Sequence, residues 1–365
     1  MNRGPDRLSR WRILDRLVLL LAGIAIPLVG LLGYYTVSYH RTLVNARWPL
    51  GVYEYDAVLG YRMSPGFSAR LLDGSFHTRT HALGYRIPEF ADPVGVNPGG
   101  VMSIGCSFTY GDDVEAEQTF TYLVGERLGR PAYNYGVCAY SYATMLLQLR
   151  GLQESGVLDR LRPSVLILGV GDWLVVRSFS SFMPSDELQY AYPYVRVRDG
   201  MLEIAPPPDV FSLDHMFRLQ RAYFPEGRRD VPLTPWRFLL LAREVPRVLY
   251  ANLLGNRERA RLMERYPVAS ERLYDFVLRE IETITSAVQM RLIVLWMATR
   301  PQQELDPGLR AAVAQHPEVE LVDGGEALRR DGVAPQEYCC GRHPGPHAHR
   351  AYARAIADRV SASSR

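Results

Sequence analysis

The chain has 365 residues, 47% of them hydrophobic and 22% charged, a balance that supports a packed core and excludes a disordered polyelectrolyte. Its formal net charge of +3 is too small for a phosphate-reading surface. No basic stripe interleaved with aromatics occurs, so nucleic acid is not expected as a partner.

The N-terminus carries the first strong signal. Leu17 to Val37 contains no charged residue, and about 20 apolar residues suffice to span a bilayer core as a helix. Arg3, Arg7, Arg10, Arg12 and Arg16 precede the stretch, whereas Arg41 and Arg47 follow it closely. The positive-inside rule then predicts a single-pass signal anchor in the inner (cytoplasmic) membrane. Residues 1–16 would lie in the cytoplasm, and the C-terminal part would face the periplasm or exterior. Tyr34, Tyr35 and Tyr39 suit an interfacial aromatic belt. The apolar core is long for a cleaved signal peptide, and no clear small-residue cleavage site follows it.

Residues 41–99 are rich in Gly, Pro and Tyr and read as a β-rich lead-in. Leu-Gly-Tyr-Arg occurs there twice, at 59–62 and 83–86, and suggests a paired element that covers a sheet edge. From about residue 100 strands and helices alternate, which predicts a parallel sheet with helices on both faces. The strands are Val101–Ile104, Ala132–Val137, Val165–Leu168, Leu292–Trp296 and Glu320–Val322. The helices are Gln118–Leu128, Tyr142–Glu154, Ser270–Gln289 and His347–Ser361. An insertion at about 173–268 breaks the rhythm. It contains a hairpin from Tyr190 to Ile204, turning at Asp199-Gly200, and a helix from Arg237 to Asn252. It would wall or cap a site within the domain spanning 100–365.

The features that carry chemistry fall at strand ends. Gly105-Cys106-Ser107-Phe108-Thr109-Tyr110-Gly111 follows the first strand, Gly136 closes the second, and Gly169-Val170-Gly171-Asp172 ends the third. His343 sits in the loop before the last helix. In an open parallel sheet, ligands bind outside the carboxyl ends of the strands, so these residues converge. Their order and placement resemble the SGNH/GDSL hydrolase superfamily over roughly residues 100–175 and 290–360, and the lead-in is similar to that of membrane-anchored bacterial members. The resemblance implies an α/β domain of flavodoxin-like, three-layer α/β/α topology around a central parallel sheet. It implies Ser107 as nucleophile and His343 as base, because a serine hydroxyl attacks poorly until a base takes its proton. It also implies an oxyanion hole built from the Ser107 and Gly136 N–H groups and an asparagine side chain. Asp172 keeps an acidic position that orders the third loop.

Two positions depart from the family pattern. Gly171 stands where the donor asparagine belongs, and Cys340 stands where the Asp-x-x-His motif has its aspartate. Glu337 or Asp323 is a candidate replacement acid, with a Ser-His dyad or a backbone carbonyl as alternatives. The four cysteines, Cys106, Cys138, Cys339 and Cys340, match no metal module. A disulfide from Cys138 to Cys339 or Cys340 would brace the histidine loop; four unconnected residues is the competing reading. His343, His347 and His349 lack an accompanying carboxylate cluster, so neither a metal nor another cofactor is expected. Tyr190, Tyr192, Tyr194 and Arg196 either line a sugar-binding wall or form a half-exposed hairpin face.

The expectation is a serine esterase or O-acyltransferase, anchored in the membrane through its N-terminal helix. Its substrates would be acyl esters, O-acetyl among them, on envelope or exported glycans, in company with envelope polysaccharide machinery. The alternative is a weak or inactive domain of the same fold that binds glycan or scaffolds an envelope complex.

Overall fold

A computed structural model describes residues 7–44, 48–71, 73–180, 182–184, 189–191, 193–206, 223–224, 231–246, 266–299, 302–334, 338–339 and 343–362. Five strands make a parallel sheet: β1 (Val101–Gly105), β2 (Ala132–Gly136), β3 (Val165–Val170), β4 (Arg291–Trp296) and β5 (Val319–Asp323). Their order is β2-β1-β3-β4-β5, with every neighbouring pair parallel. This is the expected flavodoxin-like arrangement, with its switch point between β1 and β3. Every residue of β1 and β3 is buried, as a sheet covered on both faces requires. Helices Phe120–Leu128 and Pro346–Ala362 pack together, as do Tyr142–Glu154 and Tyr266–Ala287.

Short helices escaped the sequence reading. Val157–Leu161, Asp172–Ser178, Pro307–Ala314 and Gly324–Arg330 have at most eight residues each, too few for a clear apolar period. Their caps supply a fainter signal: Asp306 accepts from Gly308 N–H at 2.8 Å and Asp323 from Glu326 N–H at 3.1 Å. The predicted helix from Arg237 begins at Pro235, capped by Thr234, and ends at Ala242. Its predicted end, residues 247–252, lies outside the described residues.

The N-terminal apolar stretch lies within a single helix, Arg7–Val44. Its segment Asp15–Ser38 has 24 residues, contains an 18-residue window of mean hydropathy 2.4, and is long and apolar enough to cross a membrane. Pro27 lies inside this helix.

The lead-in does more than cover an edge. It folds as two hairpins, Tyr53–Asp56 with Gly60–Met63 and Ser68–Arg70 with His77–Arg79, and the two Leu-Gly-Tyr-Arg repeats do not pair with each other. Each repeat instead grips a different loop at the carboxyl end of the sheet. Tyr61 donates its hydroxyl to Cys138 O at 2.6 Å, and Tyr140 donates back to Tyr61 O at 2.7 Å. Arg86 bridges Asn134 on the edge strand β2 and is itself 1% exposed. Its guanidinium donates to the carbonyls of Tyr110 (2.7 Å), Gly111 (2.9 Å), Val114 (2.7 Å) and His77 (3.2 Å). It also lies 4.4 Å from the Tyr110 ring centroid and 4.9 Å from that of Phe76.

A buried cation held by four carbonyls cannot be removed cheaply, because each carbonyl then loses its donor in a dry site. Arg86→Met is expected to cost about 3–5 kcal/mol. Arg86→Lys keeps the charge without the planar fork and recovers less than half of that. Denaturant unfolding of the detergent-solubilised chain checks both; loss of under about 1 kcal/mol in Arg86→Met contradicts the bracing role.

Candidate active site

Ser107 opens a four-residue helical turn, Ser107–Tyr110, directly after β1. Cys106 precedes it in an extended conformation, and Gly111 ends it in a left-handed one at φ +82. The N–H groups at the start of such a turn have no acceptor within it. The turn sits flush on the sheet because three strands carry glycine at or next to their last residue beneath it. A Cβ at Gly105 or at Gly169 would overlap the Thr109 hydroxyl. A Cβ at Gly136 would overlap the Tyr110 backbone nitrogen and lie 2.7 Å from the Thr109 carbonyl carbon. Thr109 is therefore wedged between the ends of β1 and β3, where its hydroxyl lies 3.6 Å from Met297 Sδ. This wedge explains the residue types in Gly-Cys-Ser-Phe-Thr better than a requirement for a flexible turn.

His343 reaches Ser107 from the opposite end of the chain. It belongs to a short antiparallel pairing in which Cys339 faces His343 and Tyr338 faces Pro344. The His343 Nε2 lies 3.0 Å from Ser107 Oγ, within hydrogen-bond reach. The Phe108 ring packs edge-on against the imidazole at 5.3 Å. Two carboxylates flank the ring. Asp112 Oδ2 is 3.8 Å from Nε2, and Asp113 Oδ2 is 3.5 Å from Nδ1. Neither aspartate figured as a site residue in the sequence reading. Of the acids that did, Asp323 is occupied as a helix cap, and Glu337 lies outside the described residues, as does Cys340.

The remaining motif residues take other tasks than expected. The Gly136 N–H donates to Asn134 Oδ1 at 2.9 Å, and Asn134 Nδ2 donates to Thr109 O at 2.9 Å. Gly136 thus serves close packing, and its N–H is occupied rather than presented to a ligand. The Gly171 N–H donates to the Tyr142 hydroxyl at 3.2 Å. The space where a side chain at 171 would project is filled by the Trp173 indole, whose Cζ2 would lie 2.7 Å from a Cβ there. That indole also stacks, tilted, on Phe108 at 4.5 Å. Gly171 therefore accommodates a bulky neighbour, which an asparagine would displace. Asp172 orders its loop: it accepts from Trp173 N–H at 2.8 Å and from Gln303 Nε2 at 3.0 Å. Gln303 in turn accepts from Thr299 N–H at 2.6 Å, which ties the loops after β3 and β4 together.

No family model matches the chain, and no curated protein matches it. Solved structures are similar in part. A proposed lipolytic protein of the G-D-S-L family from Desulfitobacterium hafniense is 11% identical, with 71% of this chain and 98% of that chain covered and a TM-score of 0.35. A catalytic mutant of an acetylxylan esterase from Geobacillus stearothermophilus is 13% identical, with 73% and 95% covered and a TM-score of 0.36. An acetyl xylan esterase from Butyrivibrio proteoclasticus is 11% identical, with 75% and 66% covered and a TM-score of 0.34. The observations that decide the likeness are internal: a serine after β1, a histidine ahead of the closing helix, and the two within hydrogen-bond reach on a β2-β1-β3-β4-β5 sheet. The chain resembles the SGNH/GDSL hydrolases.

Within that SGNH-like domain Cys106, Cys138 and His349 pack in or against the core. Cys106 is 1% exposed beneath the turn, and Cys138 is a free thiol, so the expected disulfide from Cys138 does not form. Burial pushes the Cys138 thiol well above its ordinary value, and the Asp112 carboxylate adds to this. The Cys339 side chain and Cys340 lie outside what is described. His349 is fully buried instead of solvated: its Nδ1 accepts from Phe120 N–H at 3.1 Å, and its ring stacks on Phe120. In the insertion, the hairpin forms at Tyr194–Arg198 and Met201–Ala205 and packs on the helices Tyr142–Glu154 and Asp172–Ser178. Arg196 is exposed and pairs with Glu203 at 2.5 Å, a hairpin-face arrangement. The Tyr190 and Tyr192 side chains lie outside what is described.

His349 makes the fold sensitive to acid. Burial, then the positive charges of Arg86 and His343, push its pKa from 6.5 down to about 3. Between those values the unfolded chain binds a proton there that the folded chain refuses, so stability is lost as pH falls below 6.5. Two pH units into that window the loss is roughly 3 kcal/mol. His349→Gln keeps an acceptor for the Phe120 N–H and removes the titration. Its unfolding midpoint should therefore drop less than the parent's between neutral pH and about pH 4.5. Equal drops would contradict this assignment.

Proposed function

We propose that the chain is a serine esterase or O-acyltransferase of the SGNH type, and one observation carries the reading: His343 Nε2 stands 3.0 Å from Ser107 Oγ at the carboxyl end of the sheet. In the first half-reaction Ser107 Oγ attacks the ester carbonyl carbon while its proton passes to His343 Nε2. The tetrahedral oxyanion collapses, the carbon–oxygen bond to the leaving alcohol breaks, and Nε2–H protonates that alcohol. The acyl group is then held on Ser107. In the second half a water or a sugar hydroxyl gives its proton to Nε2 and attacks the acyl carbon, and Ser107 leaves with the proton returned. Water gives hydrolysis; a sugar hydroxyl gives transfer.

The N-terminal helix supports anchoring, because a 24-residue segment with an 18-residue window of mean hydropathy 2.4 matches a bilayer core in length and character. The arginines ahead of it favour an inner-membrane anchor with the catalytic domain facing the periplasm or exterior. With that address, acyl esters of envelope or exported glycans are the substrate class we propose, and envelope polysaccharide machinery is the matching set of partners.

A second reading rests on a separate observation. The Gly136 and Gly171 N–H groups are held by Asn134 and Tyr142 and are not offered to an oxyanion. Loss of one such donor can cost about two to three orders of magnitude in rate. A weak or inactive glycan-binding or scaffolding domain is the corresponding alternative.

Acetate release from an aryl acetate by the full chain in detergent separates the two. The esterase reading expects turnover in the parent and a loss of at least about 1,000-fold in Ser107→Ala and in His343→Ala. Turnover that survives both substitutions overturns it, and a parent without turnover favours the binding reading.

A further inference from the structure

The Asp-x-x-His motif places the orienting acid three residues before the histidine, and this chain has Cys340 there. A thiol cannot take the part of a carboxylate that holds an imidazole in one tautomer and stabilises its protonated form. The geometry supplies that part from elsewhere. Ser107 Oγ lies 3.0 Å from Nε2 and Asp113 Oδ2 lies 3.5 Å from Nδ1, so the imidazole is bracketed at its two nitrogens by a hydroxyl and a carboxylate. The Asp113 side chain is 3% exposed, so its interaction with the ring is poorly screened.

We propose that Asp113, six residues after the nucleophile on the same connection, is the positioning carboxylate of His343, in place of the acid missing from the Asp-x-x-His motif. This rests on the esterase reading of Ser107 and His343.

The backbone is built to deliver it. Asp113 has φ +80, a left-handed conformation that non-glycine residues adopt at a cost and that aspartate and asparagine tolerate best. Gly111, also left-handed, turns the chain two residues earlier. Asp112 N–H donates to Ser107 O at 3.0 Å and Val114 N–H to Gly111 O at 3.2 Å, folding the connection back over the turn. Arg86 then fixes both flanks, through the carbonyls of Tyr110 and Gly111 on one side and Val114 on the other. Nucleophile and acid are therefore set by one braced segment, and His343 enters between them.

Among the described residues, the other groups around the imidazole do not fill this role. Asp112 Oδ2 faces Nε2 at 3.8 Å, on the Ser107 side, where it favours the protonated ring but does not select the Nδ1–H tautomer. Phe108 is apolar, and His349 is buried and neutral. A negative charge 3.5 Å from Nδ1 favours the tautomer with its proton there, which leaves the Nε2 lone pair for the Ser107 proton. When that proton arrives, Asp113 balances the imidazolium charge and does not itself change protonation.

The test uses full-length protein in detergent, with aryl acetate turnover and fluorophosphonate labelling followed against pH. Asp113→Asn retains size and tolerance of the left-handed backbone. It is expected to lower kcat by about 100- to 10,000-fold with KM within about threefold. Removal of the negative charge also moves the acidic limb of the kcat/KM profile to lower pH, a shift that loop disorder alone would not produce. Asp112→Asn should lose less than Asp113→Asn. Thermal unfolding confirms that each variant is folded. A folded Asp113→Asn within about threefold of the parent, with its acidic limb unmoved, overturns the proposal while leaving Ser107 and His343 in place. Persistence of turnover in Ser107→Ala, or a parent that neither turns over nor labels, overturns the underlying reading and this proposal with it.

Discussion

The close approach of one helical turn to three strand ends sets everything else at the site. Ser107–Tyr110 rests on Gly105, Gly136 and Gly169, and at each of these a single added carbon would collide with Thr109 or with the Tyr110 backbone. Gly105 and Gly136 are cross-strand partners, so the seat is continuous across β1 and β2, and Thr109 closes it against β3. Packed interiors do not yield to such additions without a shift of backbone. The position of the Ser107 hydroxyl is consequently a property of the sheet, not of a loop.

A second constraint acts from the side. The carbonyls of Tyr110, Gly111 and Val114, at the end of the turn and just beyond it, need donors, and Arg86 from the lead-in supplies them. Tyr61 does the same for the loop after β2. The lead-in, which by sequence reads as an edge cover, thus holds the two loops that frame the nucleophile. Burial is the main cost of protonating His349 and the same Arg86 adds to it, so the residue that braces the site also contributes to the acid sensitivity of the fold.

Much of this was legible in the sequence, and the rest failed for identifiable reasons. The strands were readable because Val165–Val170 and Arg291–Trp296 are near-continuous apolar runs, as strands buried on both faces must be. Ser107 and His343 were readable because strand ends in such a sheet converge. Gly136 was misread because a glycine that frees an N–H and a glycine that admits a neighbour look alike in sequence; only the Asn134 bond separates them. Gly171 read as a loss, whereas Trp173 two residues on occupies the space. Asp113 was invisible as an acid because its spacing from His343 in sequence carries no information, and its left-handed backbone is a property of the folded connection. The disulfide expectation from Cys138 failed, its thiol being free, because a shared end of the sheet is a far looser condition than the close approach of two Cβ atoms that a disulfide needs.

Seating of the turn on the sheet delivers Ser107 Oγ to His343 Nε2. Its most direct test is the site and rate of fluorophosphonate labelling, mapped by peptide mass spectrometry, in the parent and in Gly136→Ala. A single adduct on Ser107 is expected in the parent. Labelling is expected to be slower by about 100-fold in Gly136→Ala, whose serine and histidine are intact but whose turn is lifted off the sheet. An adduct on another serine, or Gly136→Ala labelled at the parent rate, would contradict it.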